Sequence, residues 1–155
     1  KFPLLRGDWK INPNNPITTS GNIHEYCPPE QVASEMDNLL GYYEALPPWP
    51  ELRAAFLHHR FTQIHPFQDG NGRVARALAS IDFLRIGMFP MVVRRTERDT
   101  YIDTLREADN GNLLPMVKYF GEVLGDWMLV SKYAIFNTIY NTIILNLIFR
   151  FFNYN

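Results

Sequence analysis

The run His65-Pro66-Phe67-Gln68-Asp69-Gly70-Asn71-Gly72-Arg73-Val74-Ala75-Arg76 sets a base, a metal-type carboxylate, a glycine-rich loop and two arginines side by side. Pro66 ends whatever helix precedes it and holds His65 at that end. Gly70-Asn71-Gly72 can adopt φ > 0 and admits a ligand close to the main chain. Amides in such a turn can converge on an anion. Beyond the loop, Val74, Ala77, Leu78, Ile81 and Leu84 recur at three- and four-residue spacing, the period of one buried helical face. Asn71 is the expected N-cap of that helix. The run therefore reads as helix, loop, helix, with the second helix offering its unpaired N–H groups to an anion in the loop.

The side chains extend the same argument. Arg73 and Arg76 are three apart and share a face. They sit in the first turns of the helix, where the macrodipole disfavours cations, and a phosphate chain would compensate both bidentately. A carboxylate beside bound phosphates, here Asp69, usually works through Mg²⁺, which takes one or two protein carboxylates and completes its shell with phosphate oxygens and water. His65, with an unperturbed pKa of about 6.5, suits general-base work near neutral pH. Singly, each residue has a plain structural use: a helix-end histidine, an Asn-Gly turn, a solvated arginine pair. Together they describe a polyphosphate site with something beside it to be deprotonated. No Lys-Ser or Lys-Thr follows the glycines, so this is not a Walker A loop. A helix rather than a strand precedes it, so it is not a dinucleotide-binding fingerprint either.

The run resembles the signature of the Fic (Fido) family, His-Pro-Phe-x-Asp/Glu-Gly-Asn-Gly-Arg-x-x-Arg, at every specified position. The resemblance extends to Phe61-Thr62-Gln63-Ile64 upstream, and to Arg98-Asp99-Thr100-Tyr101 and Ala108-Asp109-Asn110-Gly111-Asn112-Leu113 downstream. Near the start, Gly7-Asp8-Trp9-Lys10 and Ile23-His24-Glu25-Tyr26-Cys27-Pro28-Pro29 resemble the family's β-hairpin flap and its exit. The resemblance implies an all-α, compact helical domain with one short β-hairpin near the N-terminus. It implies transfer of AMP from ATP to a Ser, Thr or Tyr hydroxyl of a target protein, with pyrophosphate released. In that scheme His65 deprotonates the hydroxyl and Asp69 holds Mg²⁺. Gly70, Asn71 and Gly72 line the anion hole, and Arg73 and Arg76 neutralise the terminal phosphates. The target would dock as an added strand on the hairpin, at Trp9, Lys10, Ile23, His24 and Glu25. Other outcomes stay open: transfer of UMP or phosphocholine, removal of AMP, or a non-catalytic module that binds nucleotide or a partner. Intact His65 and Asp69 count against the last. Family members often carry an inhibitory helix of pattern Ser/Thr-x-x-x-Glu-Gly/Asn. The sequence holds no such match, so either inhibition comes from a separate helix or an antitoxin partner, or the chain is unregulated in this form.

The rest of the chain sets bounds. Its 155 residues, 46% apolar, fit one domain with a core. A net charge of −1 implies no general attraction to nucleic acid or anionic membrane. The single Cys27 excludes an internal disulfide and fits a reducing compartment, and with no N-terminal signal pattern the expected location is cytoplasmic. Residues 1–28 read as loop and hairpin. Helices are expected over Pro29–Tyr43, with Val32, Met36, Leu39 and Tyr43 on one face, and over Glu51–Ile64, with Leu52, Ala55, Phe56 and Phe61 inward. Another is expected from a Thr96 cap through Tyr101, Ile102, Leu105 and Ala108 to Gly111, and a last one from Leu113 to about Val130. His58 and His59 are read as structural rather than as metal ligands. The domain is assigned to residues 1–132. Residues 133–155 are rich in Asn, Ile and Phe and lack acids, Gly and Pro. They read either as out-of-frame sequence or as an amphipathic helix, with Asn141, Asn146 and Arg150 arguing against a membrane span.

Overall fold

Proline and glycine set the borders of the helices. The computed structural model describes residues 7–17, 21 and 23–130, with side chains to residue 125; the tail assigned to 133–155 lies outside them. Pro29 opens a 3₁₀ turn (Pro29–Gln31) that runs into α1 (Val32–Ala45), and α1 stops at an extended Leu46 before Pro47. Pro50 takes the first position of α2 (Pro50–Ile64), where its missing N–H costs nothing. Then come α3 (Asn71–Arg85), a 3₁₀ turn (Arg95–Glu97), α4 (Arg98–Asp109) and α5 (Leu114–Val130). Thr96 does not cap α4. The Glu97 carboxylate folds back onto the N–H and guanidinium of Arg94, and the 3₁₀ turn leads in.

Helix α2 is the centre. Ala54, Ala55, Leu57, His58, His59, Phe61 and Ile64 are all buried along it, a spread wider than one helical face, so neighbours cover it on more than one side. On one side Leu57, Phe61 and Ile64 meet Val32 and Leu39 of α1. On the other Ala54 and Ala55 join Ala79 and Phe83 of α3, Tyr101 of α4, and Met116 and Phe120 of α5. The buried line of α3 is Ala75, Ala79 and Phe83, not the Val74–Ala77–Leu78–Ile81–Leu84 face that spacing suggests. Ala77 is exposed, and the larger residues pack only at the edges. Alanines on the contact lines of α2 and α3 let the two backbones approach closely, and this is the most extensive helix pair.

The expected hairpin is present among the described residues only as one antiparallel bridge, Ile17 with Ile23. The His24 N–H donates to Pro16 O at 3.0 Å. No strand is present among those residues. Pro13 and Pro16 bring no N–H to a ladder, and an isolated two-stranded pair is marginal in water. Among the described residues no helix is long and apolar enough to cross a membrane.

A charge network ties three helices at the end of α3 away from the loop. The buried Asp82 carboxylate accepts the Tyr43 hydroxyl at 2.8 Å, and Arg53 Nε lies 3.4 Å from it. That Nε lacks hydrogen-bond geometry, so its contribution is charge. The guanidinium is held instead over the Tyr43 ring, 4.1 Å from the centroid. Asp82→Ala should cost about 3 kcal/mol of stability, because it leaves Arg53 without its buried partner. Denaturant midpoints measure this; a loss under about 0.5 kcal/mol, the ordinary surface range, would show that the network holds nothing together.

Candidate active site

His65 ends α2 in the left-handed region (φ 50, ψ 56) and is the one non-glycine residue with positive φ among the described residues. Such a backbone costs of order 1–3 kcal/mol and persists where its surroundings impose it. The surroundings here are the His65 N–H, which closes on Phe61 O at 2.9 Å, and Pro66, which cannot continue the helix. The imidazole Nδ1 stands 3.3 Å from Thr62 O. A carbonyl only accepts, so Nδ1 carries the proton and Nε2 is left with a free lone pair. Tyr26 stacks flat on the ring, centroids 3.8 Å apart at 11°. Burial pushes the imidazole pKa down to about 4; the charges of Lys10 and His24 push the same way, while the Thr62 carbonyl and Asp69 oppose them. At neutral pH His65 is thus uncharged and has the tautomer of a base.

The residues before the helices strap this site rather than stand clear of it. Lys10 is buried, with Nζ donating to Ile64 O at 3.2 Å and its main-chain N–H to Pro66 O at 2.7 Å. A cation on the last carbonyls of a helix is favourable. Lys10, expected among docking residues, therefore faces α2. Asn14 Nδ2 donates to Phe67 O at 2.8 Å, and the Trp9 ring lies 5.5 Å from Phe67. Ile23 and Glu25 are exposed, and His24 packs edge-on to Tyr26.

In the loop, the N-cap of α3 is Gly70 and not Asn71. Gly70 has φ 86, and its carbonyl accepts the N–H groups of Arg73 and Val74. Asn71 is buried instead, with Oδ1 taking the Phe67 N–H at 2.8 Å and Nδ2 donating to Phe67 O at 2.6 Å. The Gly70 N–H is used by Asp69 Oδ1 at 2.6 Å. The N–H groups of Asn71 and Gly72 have no partner among the described residues, so the N-terminus of α3 keeps two spare donors. Asp69 is exposed, and its other oxygen lies 3.7 Å from Arg73, itself 77% exposed. Arg76 has no carboxylate partner among the described residues; its guanidinium lies beside Gly72, and its charge lowers the Tyr101 hydroxyl's pKa against the rise that burial causes.

A single exposed carboxylate fits Mg²⁺ that shares its shell with phosphates and water. No group of three or more ligating side chains is present among the described residues, so an all-protein metal cage is not what this site offers. His58 and His59 are occupied otherwise: His58 Nε2 with the Tyr101 hydroxyl at 2.9 Å, His59 Nε2 with Asp109 at 3.0 Å.

Residues 4–81 match the Fic/DOC family. The chain belongs to that family. It is 36% identical over 73 residues to the protein adenylyltransferase Fic of Aedes aegypti, covering 47% of this chain and 15% of that protein. To protein adenylyltransferase fic-1 of Caenorhabditis elegans it is 33% identical over 107 residues, covering 66% of this chain and 21% of that protein. The fold superposes on a Fic-domain-containing signaling protein from Bacteroides thetaiotaomicron with a TM-score of 0.72 and 30% identity, over 80% of this chain and 53% of that one. The chain thus spans a small part of the adenylyltransferases it matches. Two contacts of this Fic-family site carry no sequence signal: Tyr26, 39 positions before the histidine it covers, and the Thr62 carbonyl that fixes its tautomer.

Because the folded pKa of His65 lies below its ordinary value, the imidazole should stay neutral from pH 8 down to about 5. The unfolded chain takes up that proton first as pH falls through 6.5, so acid weakens the fold over the window from 6.5 to about 4. NMR titration of the His65 ring tests this: a midpoint near 6.5 would overturn it. Tyr26→Ala should uncover the ring and move the midpoint upward.

Proposed function

We propose that this domain transfers AMP from ATP to a hydroxyl on a protein, releasing pyrophosphate. The observation that carries the proposal is the pairing across one loop of a neutral imidazole with a free Nε2 and a helix N-terminus with two spare N–H groups. The similarity to protein adenylyltransferases over part of the chain supports the choice of nucleotide. In this scheme the α-phosphate lies against the Asn71 and Gly72 amides, and Arg76 and Arg73 receive the leaving phosphates. Arg73 leaves Asp69 to do so, which costs little for so exposed a pair. Asp69 is then free to hold Mg²⁺, which when bound offsets the phosphate charge. His65 Nε2 takes the proton from the incoming hydroxyl, the oxygen bonds to the α-phosphorus, and the bond to the β-phosphate oxygen breaks. Positioning and charge stabilisation supply most of the rate in such displacements.

Purified chain, α-labelled ATP, Mg²⁺ and a protein lysate test the proposal. Label should enter protein from α-labelled but not γ-labelled ATP. His65→Ala should lower transfer by about 10²–10⁴ while ATP still binds, and Asp69→Ala should remove both transfer and its Mg²⁺ dependence. Label moving only from UTP, or AMP leaving a modified protein with none added, would replace AMP transfer with another reaction at this site.

The target is proposed to pair along residues 23–25. His24 N–H and Tyr26 N–H both point toward residues 15–16, to Pro16 O and Asn15 Oδ1. Successive N–H groups of an extended chain alternate, so those of Ile23 and Glu25 face the opposite edge, where no described residue takes them. The Cys27 N–H, next on that edge, reaches Gln63 O at 3.2 Å, so the open edge leads toward His65. Main-chain pairing there would fix a target without demanding its sequence. Proline at Ile23 or Glu25 should reduce protein modification about tenfold, the cost of roughly one lost hydrogen bond, and leave ATP affinity unchanged. Equal loss of both would show that the segment serves the nucleotide.

A further inference from the structure

The contact between Tyr26 and His65 is a flat one. The ring centroids are 3.8 Å apart and the planes only 11° from parallel. The lone pair of an imidazole nitrogen lies in the plane of its ring. A flat neighbour therefore covers a face, leaves Nε2 open at the edge and resists tilting of the ring out of its plane.

His65 needs that resistance. Its other hold is the bond from Nδ1 to Thr62 O, and at 3.3 Å it is longer than the ordinary N–H···O distance of about 2.9–3.0 Å. One long bond at Nδ1 leaves the opposite nitrogen free to swing. A carboxylate in place of the carbonyl would hold the ring more firmly, but it would favour the charged imidazolium and spoil the base. A neutral ring laid flat fixes the plane and brings no charge.

Tyr26 is itself held from several directions. Its N–H donates to Asn15 Oδ1 at 3.0 Å, His24 packs against it edge-on at 4.8 Å, and Lys10 Nζ lies 5.8 Å from its centroid. The next residue, Cys27, is tied by its N–H to Gln63 O at 3.2 Å. Yet Tyr26 is only partly buried and joins neither apolar cluster of the bundle. Core packing does not account for an aromatic fixed at this point of an irregular segment; the flat contact with the imidazole does.

We propose that Tyr26 is a positioning residue whose ring fixes the plane of the His65 imidazole and keeps Nε2 aimed where a target hydroxyl meets the α-phosphate. This rests on the reading of the site as a centre of AMP transfer. Covering the base and aiming it have opposite consequences when the ring is removed. At pH 8 the imidazole is neutral with or without its cover, and an uncovered one is the stronger base. A ring that only covered His65 would hold transfer back, and its loss would speed the reaction. Loss of a ring that aims His65 slows it, because a misplacement of about 1 Å can cost about 10² in rate.

The test uses Tyr26→Leu in the full chain at pH 8, with α-labelled ATP, Mg²⁺ and a protein lysate as acceptor. Transfer should be about ten- to a hundredfold slower than in wild type, with ATP affinity unchanged by calorimetry. Tyr26→Phe keeps the ring and should restore most of the rate. In a His65→Ala background Tyr26→Leu should lower the residual rate no further. Nitrogen NMR of the His65 ring reads the hold without ATP or acceptor: wild type should show one neutral tautomer, protonated on Nδ1, and Tyr26→Leu a mixture of two. Faster transfer in Tyr26→Leu, an equal loss in both backgrounds, a loss in Tyr26→Phe as large as in Tyr26→Leu, or an unchanged single tautomer overturns the proposal. Wild type that transfers no label, with the ring still freed by Tyr26→Leu, would instead overturn the transfer reading and the aiming role with it, leaving only the hold on the imidazole.

Discussion

The side-chain amide of Asn71 and the main chain of Phe67 hold each other by two hydrogen bonds, of 2.8 and 2.6 Å, and the geometry of the site depends on that clamp. It closes the loop between the base at the end of α2 and the donors at the start of α3. Asparagine can donate and accept from one short planar group, whereas aspartate could only accept and serine is too short for both. Because the amide is buried, its bonds do not compete with water, and an unmet partner would be expensive. The loop can thus carry glycines at 70 and 72 without being loose. Of its two glycines only Gly70 takes a left-handed φ, and its ends are fixed by helices packed on alanine.

The helices were legible in the sequence because prolines 29, 47, 50 and 66 and glycines 70, 87 and 111 mark nearly every border. The face of α3 was not. Spacing arguments weigh large apolar residues most heavily and so select Val74, Leu78 and Leu84. The close approach of α2 selects alanine, which propensity places anywhere on a helix. Asn71 was misassigned for a related reason. Asparagine is a favoured cap, but the cap position here needs φ 86, which glycine takes at no steric cost. The twelve-residue run could place the chemistry on a loop between helices. It could not show that Tyr26 covers the base, since that contact joins segments with no shared period.

The two arginines of the run are physically unlike, although sequence treats them as a pair. Arg73 is out in solvent with Asp69, 77% and 66% exposed, and such a pair is worth little and is screened by salt. It can separate whenever a phosphate or a divalent cation competes for either member. Arg76 is partly covered and lies across Gly72. One arginine is therefore free to follow a ligand, and the other is already partly packed beside the loop. A preset cation contributes more to a developing charge than one that must first be ordered, because its reorganisation has already been met in folding.

The packing of the bundle and the readiness of the base are set by different contacts. The helices are held by the alanine contacts of α2 and α3 and by the aromatic core around Phe83 and Phe120. The burial of His65 comes instead from a segment with almost no secondary structure. Lys10 bonds to the last turn of α2 and to Pro66, Asn14 to Phe67, Cys27 to Gln63, and Tyr26 lies on the imidazole. These contacts satisfy carbonyls that a helix end always leaves open, which is why so irregular a strap can be fixed. Opening of a few such contacts requires far less free energy than unfolding the core. The helices can therefore remain folded while the base is uncovered, and covering it lowers its proton affinity from the ordinary histidine value toward about 4. Whatever seats the strap sets the basicity of His65 without touching the residues that would bind phosphate.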